Sequence, residues 1–208
     1  MKNFLILFAF IVLTLQINAQ QKSQIQTAFN ALKSNNYDVA IQNYSKVIET
    51  KNNYAPAYYG RALAYYHNKN YNLSLLDFNK AVQFDENLKD LYYARGLCNT
   101  QLNKYSNAIE DFTQFLKSNP NSVNGYYARG NAYYFDEIDD LALADYSKSI
   151  TLDNNFSLAY YGRAIIFKIK KDYKAALRDF DKYIEIEGEN AALSSEVKRL
   201  INEILEME

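Results

Sequence analysis

Glycine and proline are scarce, at 6 and 2 in 208 residues. A β-sandwich or barrel turns too often for that supply, so the sequence argues against both, and against glycine-rich phosphate loops. There is one cysteine and one histidine. Those counts remove a disulfide framework, a cysteine-rich zinc site and a multi-histidine metal site. No metal and no cofactor is expected. Tryptophan is absent, and neither sign of charge dominates. Lys and Arg number 23 against 24 Asp and Glu, for a formal net charge of -1. A nucleic-acid binder needs a basic excess to neutralise phosphates, so nucleic acid is not an expected partner. Apolar residues make up 49% of the chain, with 20 Tyr and 12 Phe. That is enough to bury a core and too much for a disordered tail.

The first residues read as a targeting segment. Lys2 is followed by an apolar run from Phe4 to Leu15, broken only by Thr14, and then by Ile17-Asn18-Ala19. This is the layout of a secretory signal peptide, with cleavage expected after Ala19. The alternative is an uncleaved anchor, but the run is shorter than the roughly 20 apolar residues of a spanning helix. Cleavage would remove Lys2 and leave 22 basic against 24 acidic side chains. The expectation is export to the periplasm or beyond, with no stable membrane insertion after cleavage.

The remainder is one pattern written five times. YYGRA at 58–62 returns as YYARG at 92–96, YYARG at 126–130 and YYGRA at 160–164, always by the same step. DFNKA at 77–81, DFTQF at 111–115, DYSKS at 145–149 and DFDKY at 179–183 keep that step, with NYSKV at 43–47 upstream. The blocks are 21–54, 55–88, 89–122, 123–156 and 157–190, a 34-residue period that marks a repeat architecture. Within a block, Tyr58, Ala62 and Tyr65 form one helical stripe and Tyr59, Leu63 and Tyr66 the next; Leu75, Phe78 and Val82 continue the helical period further on. Polar turns separate the two helices. Asn35-Asn36, Asn68 to Asn70 and Asn103 supply a residue that tolerates the left-handed conformation without glycine.

Two short helices cannot bury two apolar stripes alone, whereas stacked pairs can. Small residues fall where helices must approach: Ala28, Ala62, Gly96, Gly130 and Ala164, then Ala40, Ser74, Ala108, Ala142 and Ala176. Tyr44, Phe78, Phe112, Tyr146 and Phe180 fill the next layer, and Tyr37, Tyr71, Tyr105 and Tyr173 open the second helices. In period, in small–small–aromatic spacing and in the two-helix unit, residues 21–190 resemble the tetratricopeptide repeat. Departures are the single terminal proline, Pro120, the bulky Phe115 and Tyr183, and Asp139 where a ring is usual. The expected fold is an all-α solenoid of five helix-turn-helix repeats, a single domain over 20–208. The tail 191–208 is expected to form an amphipathic cap, apolar at Leu193, Val197, Leu200, Ile201, Ile204 and Leu205, with Ser194 or Ser195 capping its start. Block one, the least aromatic, is the candidate for the other cap.

No catalytic constellation is legible, so the chain is not expected to be an enzyme. His67 is alone, and Cys98 between Leu97 and Leu102 reads as a small buried hydrophobe. The patterned charges are Arg61, Arg95, Arg129 and Arg163. Each is followed at one fixed spacing by an aspartate: Asp77, Asp111, Asp145 and Asp179. They are either a basic ladder for an anionic ligand or structural ion pairs. Block one favours pairing, because Thr27 and Asn43 replace both members at once.

The resemblance implies a ligand surface on the concave face lined by first helices. Carried onto this chain, that face holds Tyr59, Leu63, Tyr66 and His67; Tyr93, Leu97, Thr100 and Gln101; Tyr127, Asn131, Tyr134 and Phe135; and Tyr161, Ile165, Lys168 and Ile169. Tyr58, Tyr92, Tyr126 and Tyr160 are expected to pack between repeats. Tyr59, Tyr93, Tyr127 and Tyr161, about 100° further round the helix, are expected to form an exposed row. With Tyr66, Asn131 and Tyr134 they make the candidate partner site, suited to a protein or peptide. The Lys and Asn clamp by which some members of that family hold a chaperone's terminal carboxylate is missing. A glycan stacked on the tyrosine row is the alternative occupant, and an uncharacterised enzyme the third reading.

Overall fold

The computed structural model describes residues 19–206, which are helical in eleven segments and contain no strand. The signal-peptide expectation falls almost wholly on residues 1–18, outside the described ones. Two compact units divide at Leu102 and Asn103, the turn inside the third block. The first holds α1 (19–33), α2 (Tyr37–Thr50), α3 (Ala55–His67), α4 (Tyr71–Phe84) and α5 (Leu91–Gln101). The second holds α6 (Tyr105–Ser118), α7 (Val123–Phe135), α8 (Asp139–Leu152), α9 (Ser157–Ile169), α10 (Tyr173–Glu187) and α11 (Ser194–Leu205). In each unit successive helices pack as hairpins, α3 on α4, α7 on α8 and α9 on α10, and each hairpin on its sequence neighbour.

Burial follows the repeat register. The ten small residues at the helix crossings are all buried, as are Tyr44, Phe78, Phe112, Tyr146 and Phe180. Ser74 fits among them because its hydroxyl donates to the Ala62 carbonyl at 2.8 Å, which removes the cost of burying a polar group. One contact bears on the third residue of the repeated string, which is Gly in two copies and Ala in two. The second-helix ring also meets the first helix of the next repeat. A Cβ on Gly60 would stand 2.3 Å from Cζ of Tyr44, and one on Gly162 would stand 2.7 Å from Cζ of Tyr146. Where the ring is Phe78 or Phe112, the matching residue is Ala94 or Ala128. Tyrosine is therefore matched with glycine and phenylalanine with alanine.

Three local expectations are corrected. The left-handed residue of the inter-helix turn is asparagine only at Asn35 and Asn103; elsewhere it is Lys69, Glu137 and Lys171, all with φ near 60°. These turns are held by backbone hydrogen bonds, Asn70 to the Tyr65 carbonyl and Ile138 to the Tyr133 carbonyl at 2.8 Å, Asp172 to the Phe167 carbonyl at 2.9 Å. This is the double-bonded helix terminus that tolerates a Cβ at a cost of about 1–2 kcal/mol. Ser194 does not cap α11 from outside. It is the first helical residue, is buried, and donates to the Gly188 carbonyl at 2.7 Å. Leu205 lies on the open side of α11 at 55% exposure, whereas Val197, Leu200 and Ile204 are buried against α9 and α10.

Candidate functional site

The two tyrosine stripes have different jobs. Tyr58 and Tyr65, at i-3 and i+4, flank the Arg61 guanidinium at 5.7 and 6.0 Å from the ring centroids. Tyr126 and Tyr133 flank Arg129, and Tyr160 and Phe167 flank Arg163, at 5.6 to 5.9 Å. Cation–π attraction and shielding from water hold the arginine's fork in place. Nε and Nη2 of Arg61 bind the two Asp77 oxygens at 2.6 and 2.9 Å. Arg129 binds Asp145 at 2.7 and 2.8 Å, and Arg163 binds Asp179 at 2.7 and 2.9 Å, in the same bidentate way. The hydrogen bonds to Asp77 and Asp145 raise the pKa of Arg61 and Arg129 above the usual arginine value.

The remaining Nη1 reaches back to the preceding repeat. It donates to Ser45 from Arg61, to Asn79 from Arg95, to Thr113 from Arg129 and to Ser147 from Arg163, at 2.9 to 3.1 Å. Arg61, Arg129 and Arg163 thus each join the two helices of their own repeat to the second helix of the one before. The hydroxyl or amide partner stands at one fixed place in that preceding helix. It is a functional position that pairing by charge alone does not reveal. Arg95 and Asp111 lie in different units.

The second stripe lines two pockets on the first helices, one in each unit. Tyr59, Leu63, Tyr66, His67, Asp90, Tyr93, Ala94 and Leu97 surround about 220 Å³ in the first. Tyr127, Asn131, Tyr134, Phe135, Tyr146, Tyr161, Gly162 and Ile165 surround about 280 Å³ in the second. Shifted by two repeats, all lining positions of one pocket coincide with those of the other except Asp90 and Tyr146. The structure therefore brings Tyr59, Tyr66 and Tyr93 together, and separately Tyr127, Asn131, Tyr134 and Tyr161.

These tyrosines are half-buried and do not form an exposed row. The reason is packing: Tyr59 lies 6.0 Å from Phe78, Tyr127 6.0 Å from Tyr146 and Tyr161 6.2 Å from Phe180, centroid to centroid. One face of each ring belongs to the core and the rest to the pocket. Asn131 is engaged too, accepting the Tyr146 hydroxyl at 2.7 Å. Thr100, Gln101, Lys168 and Ile169 are outside both pockets. Lys168 instead pairs with Glu203 of α11 at 2.7 Å.

Asp90 escapes the sequence reading. The matching places in the other four blocks hold Lys22, Pro56, Asn124 and Leu158, so no pattern marks it. In the structure it sits at φ 60° and delays the start of α5 to Leu91. Burial, with the Asp90 carboxylate adding to it, pushes the Tyr59 phenol up to about 12. Burial also raises Tyr44, Tyr66, Tyr146, Tyr161 and Tyr183. The folded state therefore favours the protonated phenols. Their contribution to stability is complete below pH 10, the ordinary phenol value, and is lost as pH rises through the raised values. Denaturant midpoints should hold steady from about pH 7 to 9 and fall between about pH 10 and 12. A flat midpoint across that window would show that these phenols ionise freely.

Among the described residues no group of three or more His, Cys, Asp or Glu side chains could hold a metal, and no helix is long and apolar enough to cross a membrane. Cys98 is buried, with its thiol 3.3 Å from the Tyr71 carbonyl.

Comparison with known proteins places this geometry. Two tetratricopeptide repeat models match, one over residues 28–88 and one over 90–122. No functionally curated protein matches the sequence. Among solved structures, a MamA fragment from Desulfovibrio magneticus RS-1 superposes with a TM-score of 0.78 at 19% identity, over 83% of this chain and 98% of that one. YrrB, described as a TPR protein with an unusual peptide-binding site, superposes with a TM-score of 0.78 at 22% identity, over 90% and 97%. At these identities the likeness is one of fold. Residues 28–88 and 90–122 are thus tetratricopeptide repeats by sequence, and most of the chain shares the fold of YrrB, a protein of that kind.

Proposed function

We propose that this chain is a non-catalytic interaction module that binds polypeptide at its first helices, with a partner side chain entering the tyrosine-lined pocket of each unit. The observation that carries this reading is the recurrence of one pocket at one register in two units. Tyrosines stand at the same three places in both, with an open apolar floor beside them. Pockets of 220 and 280 Å³ suit single side chains better than a cofactor. The half-buried setting of the rings supports side-chain pockets over a flat platform on which a sugar would stack. YrrB, a peptide binder of the same fold, agrees with this reading.

The test is selection from a random peptide library on the chain from Gln20 onward, followed by calorimetry. Tyr59→Leu with Tyr93→Leu keeps apolar packing but removes the rings. It should weaken a selected peptide by about 2 kcal/mol, roughly 30-fold. Affinity unchanged in a folded double variant would refute the reading. The segment ending at Ala19 makes export part of the proposal. N-terminal sequencing of exported chain should begin at Gln20 or within about two residues; an intact Met1 on a membrane-embedded chain would contradict it.

A further inference from the structure

The two pockets share a register but not a chemistry. In the second unit the lining is uncharged: tyrosines, Phe135, Ile165 and an amide already engaged by Tyr146. In the first unit one lining position carries a carboxylate, Asp90. Asp90 is exposed, and no Lys or Arg forms an ion pair with it among the described residues. It also occupies a left-handed backbone conformation, φ 60° and ψ 5°, that costs a residue with a Cβ about 1–2 kcal/mol. Its side chain makes no helix-capping bond in return. The left-handed conformation is shared with the turn residues Lys69, Glu137 and Lys171 and belongs to the fold; what remains is an exposed aspartate with neither an ion pair nor a capping bond, lining an apolar pocket, with its carboxylate open to a ligand.

The surroundings state what it would take. Leu63 and Leu97 offer apolar walls, and Tyr59, Tyr66 and Tyr93 offer rings and hydroxyl oxygens. A side chain with an aliphatic stem and a cationic head satisfies all of these at once. The stem lies on the leucines, while the head meets the carboxylate and the aromatic lining. A volume of about 220 Å³ accommodates one lysine or arginine side chain. An acidic head would face Asp90 with like charge, and a purely apolar one would leave the carboxylate without a counter-charge.

We propose that the pocket of the first unit is a recognition site for a basic side chain, lysine or arginine, of the bound polypeptide, with Asp90 as its counter-charge. This rests on the polypeptide-binding reading and deepens it, since it gives the two pockets different specificities: a cation in the first, an uncharged side chain in the second.

The experiment uses capped single amino acids, so it does not depend on having a selected peptide. Nα-acetyl-arginine methylamide, its norleucine counterpart and its glutamate counterpart are titrated into the chain from Gln20 onward, and backbone amide resonances are followed. The arginine probe should give saturable shifts at residues 59–67 and 90–97. Norleucine should need at least about 5-fold more ligand, and glutamate should give no saturable shift there. Asp90→Asn should weaken the arginine probe by at least about 5-fold, as should a rise from about 0.05 to 0.5 M salt. Melting of Asp90→Asn alongside the native chain checks that the fold is kept, and Asp90→Glu should restore part of the affinity. Equal binding of norleucine and arginine, an unaltered affinity in Asp90→Asn, or shifts confined to residues 127–165 would each overturn the proposal. The polypeptide reading would survive any of these if selected peptides still bound; if no peptide did, that reading would fall and take this proposal with it, even where the arginine probe still bound.

Discussion

Replacing Asp145 with alanine should remove about 2–4 kcal/mol of stability from the second unit, the largest effect expected of a single polar substitution here. The Asp145 side chain is 8% exposed and that of Arg129 is 18% exposed. Truncation leaves Nε and Nη2 of Arg129 facing an emptied, largely dry site, held there by Tyr126 and Tyr133 and by Thr113. A fully buried pair broken in this way costs about 3–5 kcal/mol, and an exposed one about 0–1. Partial access of water to the guanidinium puts this case below the first figure and well above the second. Removing both partners, as Arg129→Met with Asp145→Leu, should recover at least half of the loss, because no charge is then stranded. Urea midpoints of the two variants decide the matter. A loss under about 0.5 kcal/mol for Asp145→Ala would mean that the arginines are free for a ligand.

Gly60→Ala should cost about 1–3 kcal/mol although it places a better helix former in α3. The new Cβ would stand 2.3 Å from Cζ of Tyr44 and 2.7 Å from both Cε atoms. These atoms belong to a ring fixed in the core of the first unit, so relief requires α2 and α3 to separate. Tyr44→Leu in the same chain removes all three of these atoms, so the double variant should lose at least about 1 kcal/mol less than the two single losses added together. Additive behaviour of the two changes would contradict the close contact between Tyr44 and the backbone at Gly60.

Much of this architecture was legible because each repeat reports on the others. The constant repeat step placed every small residue and every core ring, since five copies in phase leave no freedom of register. Pairing of Arg with Asp was legible for the same reason, through the block that lacks both. What escaped were features present once or dependent on distance. Asp90 has no counterpart in the other repeats, and a single acid in a turn carries no periodic signal. The arginine's third contact went unseen because Ser45, Asn79, Thr113 and Ser147 share a hydrogen-bonding role but not an identity. The half-burial of Tyr59, Tyr127 and Tyr161 depends on how closely the second-helix rings approach, which helical phase alone does not give.

The most direct measurement is the location of a bound peptide. A peptide selected on the chain from Gln20 onward is titrated against it, and backbone amide shift changes are mapped residue by residue. The account predicts that the largest changes fall on first helices, at residues 59–67 and 90–97 around one pocket and at 127–135 and 161–165 around the other. Changes concentrated instead on the outward side of the second helices, around Leu73 and Leu76 or Leu141, with both tyrosine pockets silent, would contradict it.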